Sequence, residues 1–263
     1  MQFRGDPNVW GVAISFLNEK VDLENSIAID IGFGTGGFSL ALARKIAFIC
    51  NFDISLNAIK NFWIKINDNK VSNVSSTYAT AVSLPYKDDS FDLVVMNGVL
   101  EYTAIDRKGD PREMHIAVLG DIKRILKPQG FFYLGIENRY YLKYLVGHRA
   151  HQEFWFSTIL PRKVANFISK IMRKKEYRRY IYSLNGYRDL LGDAGFKDIQ
   201  FYTALPNYKF PDYIIGINKK SEIKDKIRKT KAKSFFRNVG YILAHSNYLY
   251  KKVGPDFIIL SKA

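Results

Sequence analysis

The sequence predicts an α/β fold built on a doubly wound, mostly parallel sheet, and three observations carry that expectation. Apolar, β-branched runs alternate with segments of helical spacing from residue 26 to residue 137. "SFDLVVMN" is a near-continuous apolar run, as expected of a central strand covered on both faces. "IDIGFGTGGF" (residues 29–38) sets a glycine-rich turn after the first strand pattern, where a backbone can approach a ligand closely.

The elements follow in order. Residues 7–20 read as a short amphipathic helix, and "SIAIDIG" as the first strand. "GGFSLALARKIA" has helical spacing, with Phe38, Leu42 and Ile46 on one face. "FICNFD" is the second strand, "LNAIKNFWIKIND" the second helix of the alternation and "VSSTYAT" the third strand. After the fourth strand, "MHIAVLGDIKRIL" is a helix stopped by Pro128 and Gly130, and "GFFYLGIEN" is the fifth strand. The rhythm then breaks. Residues 139–182 hold no convincing strand, and "PRKVANFISKIMRKK" reads as an amphipathic helix with Val164, Phe167, Ile168 and Ile171 on one face and basic residues on the other. "SLNGYRDLLGDAGF" runs from a cap at Ser183 to a stop at Gly195. "IQFYTAL" and "DYIIGI" are strand-like, 219–237 is a basic, helix-like stretch, and "DFIILSKA" is the last strand. The chain 1–263 reads as one domain, with 139–182 and 219–252 as basic helical insertions forming a cap.

Hydrophobic residues make up 47% of the chain, enough for a sizeable core and against wholesale disorder. The single cysteine, Cys50, lies in the run "IAFIC" and reads as a small buried hydrophobe rather than a nucleophile. One cysteine makes no internal disulfide, which points to a reducing compartment. The N-terminus lacks a basic-then-apolar signal, and no apolar run approaches the ~18 residues of a membrane span. The expected location is cytoplasmic. Charge is uneven: residues 1–137 hold 14 Lys/Arg and 16 Asp/Glu, whereas 138–263 hold 26 and 9. The basic second half suits nucleic acid, anionic lipid or phosphorylated substrates, or is a solvated surface only.

The glycine turn satisfies two patterns. Gly32, Gly34 and Gly37 fit the G-x-G-x-x-G of dinucleotide binding, and Asp30, Gly32, Gly34 and Gly36 fit the D-x-G-x-G-x-G of S-adenosylmethionine (SAM) binding. Asp53, at the end of the second strand, suits ribose hydroxyls in either case. Asp30 separates them. A carboxylate repels a pyrophosphate and attracts a cofactor that carries sulfonium and ammonium charges, unless Asp30 merely caps the turn.

"AIDIGFGTGGFSLALA", "FDIS", "ATAVSLPYKDDSFDLVVMNGVLEY" and "DIKRILKPQGFFYLGIEN", taken in order, resemble the class I SAM-dependent methyltransferases. "GFKDIQFYTAL" and "DFIILSKA" resemble that family's last two strands. The resemblance implies a Rossmann-like, seven-stranded sheet with an antiparallel last strand, and SAM as cofactor. It places Asp30 and the turn Gly32, Gly34, Gly36 at the methionine part of SAM, Asp53 at the ribose and Ile54 on the adenine. Thr80 stands where the family commonly has the acid that meets the adenine amino group, with backbone at Ala81 still serving. Asn97 and Gly98 fall at the sulfonium end.

The acceptor is less marked. "ENRYYLKYLVGHRAH" follows the fifth strand at the ligand-binding edge. It offers Glu137, Asn138, Arg139, Tyr140, Arg149 and His151 as substrate-binding residues and His148 as general base. Glu101 and His115 are the next candidates for proton transfer, and no metal site is expected. Glu101 alternatively bonds to a helix N-terminus, and the histidines alternatively sit on a packing helix. Cysteine-dependent and Asn-Pro-Pro-aromatic methyl-transfer chemistries lack their residues, leaving an oxygen or simple nitrogen as the accepting atom. "IENRYYLKYL", "LPRKVANF" and "ALPNYKFPDY" resemble, more loosely, methyltransferases of surface-polysaccharide and glycolipid biosynthesis. That implies a small-molecule or glycan acceptor, phosphorylated or lipid-linked, met at the inner membrane face by the basic cap. The alternatives are an RNA methyltransferase gripping phosphates with the cap, and a SAM-binding partner protein without catalysis. A nicotinamide-dependent oxidoreductase ranks last.

Overall fold

The computed structural model describes residues 4–105, 107–149, 153–230 and 234–263. Strands form where the apolar runs lie: β1 (Ile27–Ile31), β2 (Phe48–Asp53), β3 (Val74–Tyr78), β4 (Phe91–Asn97), β5 (Leu126–Ile136), β6 (Lys197–Leu205), β7 (Tyr213–Gly216) and β8 (Phe257–Lys262). The helices are α1 (Gly11–Asn18), α2 (Gly37–Ala43), α3 (Leu56–Asp68), α4 (Pro111–Ile125), α5 (Leu142–Leu145), α6 (Arg162–Arg173), α7 (Leu184–Asp193), α8 (Lys220–Lys229), α9 (Ser234–Leu243) and α10 (Asn247–Val253). Side-chain caps start several of them. Ser55 accepts from the Ala58 amide ahead of α3, Asp110 from Arg112 and Glu113 ahead of α4, and Ser183 from Gly186 ahead of α7.

The strands join in one sheet, β3-β2-β1-β4-β5-β8-β6-β7. β1 to β5 run parallel, and β8 is antiparallel to both β5 and β6. The count of seven is corrected to eight. The extra strand is β7, the "YIIG" run, which folds back antiparallel on the outer edge of β6. A second difference lies at Pro128 and Gly130. The helix already ends at Ile125, and these residues fall inside β5, where its register with β4 shifts between Phe91 and Leu93. A proline without an amide hydrogen is tolerated at such an irregularity.

Period-two alternation divides the core. Ile29, Ile31, Val94, Met96, Phe132 and Leu134 face α4 and α7, whereas Ala28, Leu93, Val95 and Tyr133 face α1 to α3. Asp30 shares the second face, which brings it to Ser39 of α2. Helices α8 and α9 and the segment before β8 build a small satellite core, Ile223, Ile227, Ala244 and Tyr250 on Leu205 and Ile215.

The segment 139–182 packs differently from its pattern. Its buried face on α6 is Ala165 and Ser169, and Val164, Phe167 and Ile171 point to solvent. The reason is polar. Arg162 donates to the Ile181 carbonyl, Asn166 accepts from the Tyr177 amide, and Arg173 pairs with Glu153. The helix is held by its polar edge, and its apolar face is turned outward.

Candidate functional site

The carboxyl ends of β1, β2 and β4 build a cradle from backbone. Gly32, Gly34 and Gly36 all have left-handed φ, and a Cβ on Gly36 would collide with the Phe62 ring. The turn is tied to β2 by the Gly32 amide, which donates to the Phe52 carbonyl at 2.9 Å. Asp53 completes the tie, with one carboxylate oxygen accepting from the Gly34 amide (2.9 Å) and the other from the Ser55 amide (2.9 Å). This fixes the carboxylate at the rim while leaving it lone pairs for a ligand. Ile54 beside it is 70% exposed, an apolar surface without a cover. Thr80 accepts from Arg107 at 3.3 Å, and Ala81 is buried.

Deeper in the cradle, Asp30 is buried and accepts from the Ser39 hydroxyl at 2.5 Å. Burial pushes its carboxyl up to about 7. The Ser39 hydrogen bond opposes this, Asp53 adds to it and Arg4 opposes it. Asn97 lies opposite, its amide nitrogen and oxygen both buried without a hydrogen-bond partner. Arg4, Asp30, Gly32, Thr35 and Asn97 line a common small cavity of about 10 Å³. The N-terminal segment roofs it. The Arg4 carbonyl accepts from Trp10 Nε1 at 3.0 Å and lies where a Cβ on Gly37 would clash, and Lys65 reaches the Gly5 carbonyl at 3.5 Å. An orphaned buried amide beside a carboxyl and a guanidinium fits an amino-acid end carrying both charges. The residues therefore fit SAM, provided the Arg4–Gly5 roof moves to admit it. Arg4 carries no motif and was not legible in the sequence.

A second group of side chains converges beyond Asn97. The β5–β8 register pairs Ile136 with Phe257, so Glu137 and Asp256 emerge side by side at the sheet edge. Glu137 is buried and accepts from the Tyr144 hydroxyl at 2.6 Å, while its other oxygen lies 3.7 Å from both Lys143 Nζ and Lys209 Nζ. Lys143 Nζ is also 3.9 Å from Asp256. Tyr208 closes the corner against Gly98, where a Cβ would meet its hydroxyl at 2.5 Å. Burial pushes Asp256 up to about 6, with Lys143 opposing and Glu137 adding. Burial, then Glu101, Glu137 and Asp256, push the Tyr208 phenol well above its ordinary range, so it stays a neutral donor. Tyr144 is raised by burial and then by Glu137. A mostly apolar slot of about 50 Å³ is lined by Tyr141, Leu142, Leu205, Pro206, Tyr250 and Pro255, of which Leu142 and Pro255 adjoin the corner residues Lys143 and Asp256 in the chain.

The other sequence candidates fall as follows. Glu101 is fully buried at the exit of β4 and bears electrostatically on Tyr208. His115 is buried on α4 with Nδ1 2.9 Å from the Tyr182 hydroxyl. Burial, then Arg162, lower it to about 4, so it is neutral at pH 7. His148 is exposed after α5, and His151 lies outside the described residues. Arg149 stacks on Trp155 at 4.4 Å. The Asn138 amide donates to the Lys252 (3.2 Å) and Gly254 (3.0 Å) carbonyls. Arg139 donates to the Thr158 (2.7 Å) and Leu160 (2.8 Å) carbonyls and stacks on Tyr140. Those two residues tie segments of backbone together. Lys143, Tyr208, Lys209 and Asp256 were not singled out from sequence. The available signals were the nearness of Lys143 to Glu137 and the position of Asp256 just before the last strand. A much larger groove, about 970 Å³, lies at the β6–β7 edge among Phe16, Tyr140, Ser183, Gln200, Lys219 and Lys252, and none of the turn or corner residues lines it.

Residues 29–134 match the family described as Methyltransferase domain. The chain is similar to a demethylmenaquinone methyltransferase of Bacillus subtilis, 25% identical over 197 residues that cover 74% of this chain and 77% of the relative. It is also similar to the ubiquinone/menaquinone biosynthesis C-methyltransferase UbiE of Rickettsia massiliae, 26% identical over 67% of this chain and 71% of that one. In fold it resembles a SAM-dependent methyltransferase from Aquifex aeolicus, with a TM-score of 0.56 and 12% identity over 98% and 94% of the two chains.

Proposed function

We infer that this chain, a class I SAM-dependent methyltransferase, methylates a small lipophilic acceptor through a hydroxyl that loses its proton at the Glu137–Asp256 corner. The observation that carries this is the convergence of two buried carboxyls, two ammonium groups and two neutral phenols next to Asn97 and Gly98. Asp30, Asn97 and Arg4 would hold the amino-acid end of SAM, Asp53 its ribose, and Ile54, Thr80 and Ala81 its adenine. Bound SAM supplies a methyl group on a cationic sulfur that leaves as a neutral thioether. At the corner the acceptor hydroxyl would give its proton to the carboxylate pair. Lys143 and Lys209 steady the oxygen while it is anionic, the Tyr208 phenol orients it by donating, and Tyr144, whose hydroxyl is given to Glu137, holds that carboxylate in place. Positioning supplies much of the rate.

The mostly apolar slot and the quinone-related relatives support a lipophilic acceptor. A sugar hydroxyl on a lipid-linked glycan would present the same O–H. A second reading, transfer to carbon, is favoured by the relative described as a C-methyltransferase. An ionised ring hydroxyl makes its neighbouring ring carbon nucleophilic, and that carbon's own hydrogen would then leave as a second proton to the carboxylate pair while the oxygen takes its proton back. The two basic insertions act on this reading as a cap within one domain, and the cap brings the enzyme to an anionic surface. Methyl-labelled SAM incubated with total lipid, glycan and RNA fractions tests the proposal. Label is expected in the lipid fraction, and nuclear magnetic resonance of the product locates it on oxygen or carbon. Label confined to RNA or to water-soluble material would overturn the lipophilic acceptor.

A further inference from the structure

We propose that α6 is an interfacial helix that lays the enzyme on an anionic lipid surface. It extends the lipophilic-acceptor reading, but its test needs no acceptor, so the two fail separately. The helix is strongly amphipathic and is mounted with its apolar face outward. Phe167, Ile171 and Met172 are each 66% exposed and Val164 is 43% exposed, while Ala165 and Ser169 face the protein. A solvent-facing aliphatic and aromatic stripe on a charged helix is the pattern of a segment lying in a headgroup boundary.

Charge selects the occupant. α6 carries no acidic residue, and Lys163, Lys174 and Lys175 at its ends are exposed without an ion-pair partner among the described residues. Lys170 and Arg173 are already engaged with Glu176 and Glu153. Exposed Trp155, with Arg149 stacked on it, stands a few residues before the helix. Cations flanking inserted apolar groups match anionic headgroups above acyl chains. RNA would reward the lysines but give Ile171, Met172 and Val164 nothing to bury against. Among the described residues no helix is long and apolar enough to cross a membrane, so α6 would lie on the surface.

The test is co-sedimentation of the full chain with phosphatidylcholine vesicles and with vesicles containing about one third phosphatidylglycerol. The protein should bind the anionic vesicles at least about tenfold more tightly. Phe167→Asp with Ile171→Asp should weaken that binding about tenfold or more. Lys174→Glu with Lys175→Glu should remove the preference for anionic lipid. SAM affinity, measured in parallel, should be unchanged in both variants, which shows that they fold. Equal binding to both vesicle types, or wild-type binding by the aspartate variant, would overturn the proposal. So would tighter binding to a polyuridine homopolymer that the aspartate substitutions leave intact.

Discussion

The glycine turn and the Glu137–Asp256 corner share the carboxyl edge of the sheet and are held in opposite ways. The turn is a backbone object. Three left-handed glycines set its path, and the carboxylate of Asp53 pins it through main-chain amides. The corner is a side-chain object. Glu137, Lys143, Tyr208, Lys209 and Asp256 come from three separate stretches of chain and meet because β8 is threaded between β5 and β6. The turn thus depends on glycine path and on one pinning carboxylate, whereas the corner depends on charge balance among groups that are far apart in sequence.

Substitutions should separate the two. The largest effect is expected for Glu137→Gln, which keeps the shape but removes the proton acceptor. Turnover should fall about 10²- to 10⁴-fold while SAM affinity, read by calorimetry, is unchanged. Equal loss of both would mean that the corner is not distinct from the cradle. Asp53→Ala should do the reverse and weaken SAM binding on the order of 10- to 100-fold, because it removes charged hydrogen bonds. Unchanged affinity would remove Asp53 from the ribose role.

The pH dependence sharpens the contrast. The Asp30 carboxyl, pushed up to about 7, is mostly protonated at pH 6. An ammonium placed against it draws that value down, so binding releases a proton. SAM affinity should therefore rise by up to about tenfold per pH unit below 7 and level off above it. Asp30→Asn should flatten the profile, and a flat profile in the wild type would remove Asp30 from contact with the cofactor. The corner predicts a second limb, in which turnover at saturating SAM falls as pH drops below about 6, where Asp256 takes up a proton. The smallest effect is expected for Asn138→Ala. Loss of its three side-chain hydrogen bonds should lower stability by roughly 1–2 kcal/mol in denaturant unfolding, with little change in KM for the acceptor. A large KM change with unchanged stability would instead place Asn138 on the substrate.

The two halves differed in how far the sequence disclosed them. Asp30, the glycines and Asp53 obey spacings set by one strand–turn–helix unit, and such spacings survive in a linear string. Asp256 has no local signal, because its role comes from the register with Glu137. Tyr208 and Lys209 likewise acquire theirs from where the β6–β7 connection folds. The helices α4 and α6 make the same point about packing. Both show apolar periodicity, and α4 buries it in Val118, Leu119 and Ile122. α6 does not, because Asn166, Arg162 and Arg173 find their partners on the other side. Periodicity states that a face is apolar and leaves open what the face meets. The β7 hairpin extended the sheet for a related reason, since an edge strand needs only one partner.

The position of β8 also bears on how the protein is made. Residues 257–262 leave the ribosome after β5, β6 and β7, yet they fill the gap between β5 and β6. Until they arrive, β5 presents an unpaired edge, and the β6–β7 hairpin has nothing to join. A nascent chain can close the glycine turn long before it can assemble the corner. For that interval it resembles an open-edged intermediate of the kind that chaperones hold. Ribosomes stalled shortly before Phe257 should then carry chains that retain SAM but are prone to stick to one another.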